Sequence, residues 1–185
     1  MNEHREHPSA LPRLLYYVSH SGSQATFAPE QGIRARDTQS YFPYPNMESA
    51  FVKSLQEHFN WGSSTPSPYI SVMANKVHAE NWALDCEART NTETYVHEIS
   101  KRKLMTSYVF KAVSLAEALH FQLPRRARNK SEYLVLHRIP RKAIVRSRSS
   151  IEIRRGKIAL FLSLTWLFIA SHILLLGIFL VMAGA

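Results

Sequence analysis

Three arrangements in the sequence have the residue types that chemistry needs. His78-Ala-Glu80 has the H-x-E spacing of zinc-dependent base deaminases, in which the histidine ligates the metal and the glutamate moves the proton. That site also needs a downstream pair of cysteines, and Cys86 is the only cysteine in 185 residues, so no metal site is assigned. Cys86 with one of nine histidines has the makings of a Cys–His nucleophile pair. A lone cysteine beside Trp82 on the apolar face of a helix reads better as core filling. Arg125-Arg-Ala-Arg-Asn-Lys130 is basic enough for nucleic acid but reads as a solvated or lipid-facing loop, and Asn129-Lys-Ser131 fits the N-glycosylation sequon. No G-x-x-x-x-G-K-S/T, G-x-G-x-x-G or G-x-S-x-G run occurs, so phosphate-cradling loops and the serine-esterase elbow have no local support.

Charge and hydropathy set the frame around these residues. With 23 Lys and Arg against 14 Asp and Glu, the formal charge is +9, which calls for an anionic partner. A single cysteine excludes an intramolecular disulfide and favours a reducing compartment. Residues 1–10 alternate His, Glu and Arg, lack the apolar run of a signal peptide, and read as a disordered N-terminus. Residues 158–183 contain no Asp, Glu, Lys or Arg. About 20 apolar residues cross about 30 Å of hydrocarbon, so the expectation is one C-terminal transmembrane helix. Lys142, Arg146, Arg148, Arg154, Arg155 and Lys157 form a cationic membrane collar ahead of it, with residues 149–157 as a basic juxtamembrane segment. The positive-inside bias then predicts a single-pass, tail-anchored protein with its N-terminal domain cytosolic and the lipid bilayer as a partner. His172, within the expected span, reads as a neutral imidazole bonded to a nearby carbonyl.

The elements between these ends follow from periodicity. Strands are predicted at 13–18, 69–73, 94–99, 107–110, 131–139 and 143–145, from short apolar, aromatic or alternating runs. Ala50, Phe51, Leu55 and Phe59 repeat at helical spacing in 47–61, with Asn46 as the expected N-cap. A second helix is predicted over 76–89, and Ser114-Leu-Ala-Glu117 opens a third as a capping box. Residues 19–45 read as a long ordered loop whose aromatic rings pack on the core. Strands and helices are interspersed with long connections, which predicts an α+β domain over 11–148.

Leu15-Tyr-Tyr-Val-Ser-His20, Tyr41-Phe-Pro-Tyr-Pro45, Ser67-Pro-Tyr-Ile-Ser-Val72, His78-Ala-Glu-Asn-Trp-Ala83 and Ser131-Glu-Tyr-Leu-Val-Leu-His-Arg-Ile-Pro140 together resemble a fungal domain of unknown function. That family is in turn distantly similar to the ADP-ribosyltransferase fold of the heat-labile-enterotoxin type. The resemblance implies a small mixed, split sheet with flanking helices and a cleft for NAD. In that fold an Arg on the first strand grips the NAD diphosphate, a middle-strand Ser orders the pocket, and a Glu at the start of a later strand stabilises the cationic sugar. The resemblance assigns Ser71 and Glu132 as the catalytic pair. It places Tyr17 where the Arg belongs, with Arg13 four residues upstream as the other cofactor-binding candidate. Tyrosine cannot make the bidentate contact of Arg with phosphate, so the leading expectation is a degenerate binding or interaction module. The alternatives are an active NAD-dependent mono-ADP-ribosyltransferase using Glu132 and Ser71, and a domain that binds anionic lipid through its collar.

Overall fold

The computed structural model describes residues 1–42, 45–104, 107–124, 127 and 131–183, with the side chains of residues 2, 45, 170, 171 and 173–183 outside that description. The chain divides into two compact units, Met1–Ser150 and Ile151–Ala185. In the first, β1 (Leu14–Ser19), β4 (Tyr69–Met73), β5 (Tyr95–Ser100), β6 (Val109–Lys111), β7 (Glu132–Leu136) and β9 (Ile144–Ser149) form a six-stranded sheet in the order β6-β7-β4-β1-β5-β9. A second sheet has the order β2-β3-β8, with β2 at Thr26–Ala28, β3 at Gly32–Arg34 and β8 at Arg138–Pro140. The helices of this unit are α1 (Glu48–Phe59), α2 (Lys76–Thr90) and α3 (Ala112–Ala118).

The α+β class with a split sheet is therefore present, but every ladder between described strands is antiparallel, which corrects the expectation of mixed pairing. β1 lies inside the sheet, and its four central residues are buried on both sides. The sheet separates two cores. Leu15 and Tyr17 join Ile70, Val72, Ile99 and Val135 in a cluster that also takes Ile33 and Ile139 from the small sheet. On the opposite face Tyr69, Phe110, Leu134 and Leu136 pack with Phe51, Leu55 and Phe59 of α1 and Leu115 of α3.

Local chemistry explains most element ends. Asn75 caps α2 by accepting the His78 amide at 3.0 Å, and Asn91 closes it in the left-handed region at φ 51°. The expected cap Asn46 instead sits in a 3-10 turn, Pro45–Met47, and α1 starts without a side-chain cap bond. The run predicted as one strand over 131–139 is broken at His137, whose φ of 61° turns the chain from β7 into β8. Residues 1–10, read as disordered, hold a 3-10 turn with Met1 buried, and the Glu6 amide donates to the Val109 carbonyl at 2.8 Å.

The second unit holds most of α4 (Ser150–Ala183). Among the described residues no helix is long and apolar enough to cross a membrane. This corrects the expectation of a transmembrane helix at 158–183. Glu152, Arg154, Arg155 and Lys157 occupy the first turns of α4. Further along α4, the His172 Nδ1–H donates to the Phe168 carbonyl at 3.0 Å.

Gly32 shows how closely the small sheet is built. At φ 95° it pairs with Pro140, and a Cβ there would lie 2.2 Å from the Ile139 carbonyl oxygen and 2.6 Å from the Arg141 nitrogen, both backbone atoms that cannot step aside. Gly32→Ala is expected to lower the unfolding free energy by at least about 2 kcal/mol in denaturant titration. A wild-type midpoint would overturn this account of the β3–β8 contact.

Candidate functional site

The site is set by the ladder between β4 and β7. Met73 pairs with Glu132 and Ser71 with Leu134, so Ser71 and Glu132 are diagonal neighbours on one face. The Ser71 hydroxyl donates to Glu132 Oε1 at 2.8 Å. The two residues assigned by resemblance are thus brought together although 61 positions separate them in sequence.

Helix α1 brings a third group. Tyr69, buried on β4, donates its hydroxyl to Ser54 at 2.7 Å, and Ser54 donates to the Phe51 carbonyl at 2.8 Å. One turn on from Ser54, His58 comes down edge-on to the Tyr69 ring at 5.5 Å. His58 Nε2 lies 2.9 Å from Ser71 Oγ, and Nδ1 lies 2.6 Å from Ser67 Oγ. Ser67 also accepts the Tyr69 amide at 3.1 Å. A continuous chain Ser67–His58–Ser71–Glu132 results, and its last member carries the acid.

Burial sets the protonation along this chain. It pushes the Glu132 carboxyl up to about 7, against the opposing effect of the Ser71 hydrogen bond. It pushes His58 down to about 4. Near neutral pH the imidazole is uncharged while the carboxyl is poised between its two forms. With Glu132 ionised, Ser71 donates to it, His58 Nε2–H donates to Ser71, and Ser67 donates to Nδ1.

The cofactor-binding candidates lie elsewhere. Tyr17 faces the opposite side of the sheet from Ser71, and its hydroxyl donates to the Ala25 carbonyl at 2.7 Å. Arg13 is exposed just before β1. In the collar, Lys142 and Arg146 are exposed, but Arg148 is held by Glu80 and lies 3.6 Å from Glu98. Arg154 and Arg155 are exposed on α4, where Lys157 is half-buried. Glu80 of the H-x-E pattern thus serves an ion pair, while Cys86 is buried. The basic run at 125–130, apart from Ala127, and the sequon's Asn129 and Lys130 lie outside the described residues. Among the described residues no cluster of three or more His, Cys, Asp or Glu is placed to hold a metal ion.

Sequence reasoning missed His58 and Ser67. The available signal for His58 was a polar residue four positions after Ser54 and beside Phe59 on a helix whose apolar stripe faces the core. Ser67 was hidden in a turn-rich run.

The shifts give opposite signs of pH dependence. Glu132 binds its proton more tightly folded than unfolded, so its effect on stability worsens as pH rises from 4.5 to about 7 and is fully unfavourable above that. His58 behaves in reverse, its favourable effect being complete above 6.5 and lost as pH falls towards about 4. Glu132→Gln is expected to raise the unfolding free energy by roughly 1–3 kcal/mol at about pH 8 and to give no gain near pH 4. Equal gains at both pH values, by denaturant titration, would show that the Glu132 carboxyl is not raised by its surroundings.

No curated protein matches this chain. Among solved structures, EcPltA is similar over 75% of this chain and 75% of its own, with a TM-score of 0.51 at 12% sequence identity. At that identity the likeness is one of fold. The family described as a domain of unknown function, DUF7587, matches residues 10–153. That span takes in every strand from β1 to β9 together with Ser71, Glu132 and His58, and by it the chain belongs to the DUF7587 family.

Proposed function

We propose that this domain is a degenerate ADP-ribosyltransferase-like module that binds a partner or ligand and does not transfer ADP-ribose. The likeness to EcPltA, an ADP-ribosyltransferase-like protein, supports the fold part of this reading. The observation that carries the functional part is the occupation of the Ser71 hydroxyl by His58 on one side and Glu132 on the other. A serine so engaged holds its acid in an internal chain.

The residues do not fit NAD in the manner of that fold. A diphosphate needs a cation, and Tyr17, the residue at that position by resemblance, has its hydroxyl bonded to Ala25 on the other face of the sheet. A carboxyl held near half-protonated by burial is also a weaker stabiliser of a cationic sugar than an ionised one.

One observation favours the rival reading of an active transferase using Glu132 and Ser71, namely their retained 2.8 Å bond. Thermal stabilisation of the full chain by NAD and release of nicotinamide separate the two. The expected result at millimolar NAD is no stabilisation and no nicotinamide release, in the wild type and in Tyr17→Arg alike. NAD-dependent stabilisation that disappears in Glu132→Ala would overturn the proposal in favour of the enzyme.

A further inference from the structure

A cleft of about 590 Å³ opens between residues 36–40, helix α1 and residues 65–68, with Ser67, at the other end of the hydrogen-bonded chain from Glu132, in its lining. Arg36, Asp37, Lys53, Glu57, Thr65 and Ser67 are among its lining residues. Its two acids are already engaged. Asp37 accepts the amides of Gln39 and Ser40 at 2.8 and 3.1 Å, and although burial raises its carboxyl, bonds from Ser40 and Gln39 prevail and hold it below the usual range. Glu57 accepts the Ser63 hydroxyl at 2.5 Å. Arg36 and Lys53 have no carboxylate within ion-pair reach among the described residues. The cleft therefore offers two unengaged cations and a wall of hydroxyls.

We infer that this cleft binds a small ligand through a phosphate, sulfate or carboxylate group, and that the chain Ser67–His58–Ser71–Glu132 sets how well it does so. Ser67 is the one member shared by chain and cleft. When Glu132 is ionised, the Ser67 hydrogen is held by His58 Nδ1 and one lone pair by the Tyr69 amide, so the oxygen shows the cleft only its remaining lone pair, which repels an anion. When Glu132 takes up a proton, it donates to Ser71, Ser71 donates to Nε2, and the neutral imidazole changes tautomer so that Nδ1–H donates to Ser67. The Ser67 oxygen then accepts from both Nδ1 and the Tyr69 amide, which leaves its own hydrogen free to donate into the cleft. One proton is taken up at Glu132, one donor appears at the cleft wall, and His58 stays uncharged throughout.

The groups around the chain are few. α1 brings His58, β4 brings Ser71 and Tyr69 and no charged side chain, and β7 adds none on this face beyond Glu132. Lys76, following β4, is held near Glu80 and Glu98. His137, whose Nε2–H donates to the Ser40 carbonyl at 2.7 Å, is the other titratable ring at the cleft's loop and serves as the control.

This inference requires no turnover of NAD and stands or falls apart from the proposal above. Sulfate is the probe, because its charge is constant between about pH 5.5 and about pH 8.5, the window that brackets Glu132. It is titrated into the full chain at constant ionic strength by calorimetry. Binding is expected to be about tenfold tighter at the lower pH, the worth of one added donor to an anion. Lys53→Met weakens it at both values. Glu132→Gln and, as a second break in the chain, Ser71→Ala abolish the pH dependence, while His137→Gln keeps it. Absence of sulfate binding at either pH overturns the site. A pH dependence that survives in Glu132→Gln and Ser71→Ala, or that vanishes in His137→Gln, overturns the relay.

Discussion

Antiparallel pairing of β4 with β7 is the constraint on which the rest of the site depends. With Tyr69 opposite Leu136 and Met73 opposite Glu132, one face of the two strands carries Tyr69, Ser71, Leu134 and Glu132. A slip of one residue would send that set to the other core and place Val72 and Val135 under α1. Fully buried Leu134 and Val135 on opposite faces make such a slip expensive, because each face is already filled with apolar side chains. The polar pair is thus positioned by its apolar neighbours. The bond between Ser71 and Glu132 follows from register and does not create it.

Helix α1 is held to this face by the buried side chains of Phe51, Leu55 and Phe59 and by the Tyr69–Ser54 bond. That docking delivers His58 to two serines at once, and a half-buried imidazole with a partner on each nitrogen satisfies its hydrogen bonds without a charge. His97 repeats the same solution on the opposite face. Fully buried, it has Ser19 at 3.0 Å and Ser147 at 2.8 Å on its two nitrogens, and burial pushes it down to about 4. The charged groups are kept to a separate place, where Glu80 of α2 meets Arg148 of β9 with Glu98 and Lys76 beside them. Arg148 Nε has no hydrogen-bond partner among the described residues, so that pair carries part of its desolvation cost uncompensated.

Much of the fold was readable because local pattern and tertiary need agreed. Tyr69–Met73 and the helix beginning at Lys76 appear where the short apolar run and the helical spacing put them. Disagreement arose where a tertiary contact overrode the local signal. His137 adopts a positive φ inside an apolar run because its amide donates to Pro68 and its carbonyl accepts from Ala35, which fixes the turn between the two sheets. Residues 19–45 conceal β2 and β3, which are three residues each and acquire a strand's partners only from one another and from β8. The C-terminal apolar tract misled in another way, since hydropathy alone set the expected span.

What the sequence by itself determined is the α+β class, the candidate pair Ser71 and Glu132 through their setting in a resembling family, and the exclusion of a cysteine-based metal cage, because composition and short-range pattern suffice for these. The tertiary structure alone decided that His58 and Ser67 join that pair, that Tyr17 turns away from it, and that burial raises the Glu132 carboxyl to about 7. Each of these depends on burial and on contacts between residues distant along the chain, and desolvation cannot be read from the identity of a side chain, only from what surrounds it.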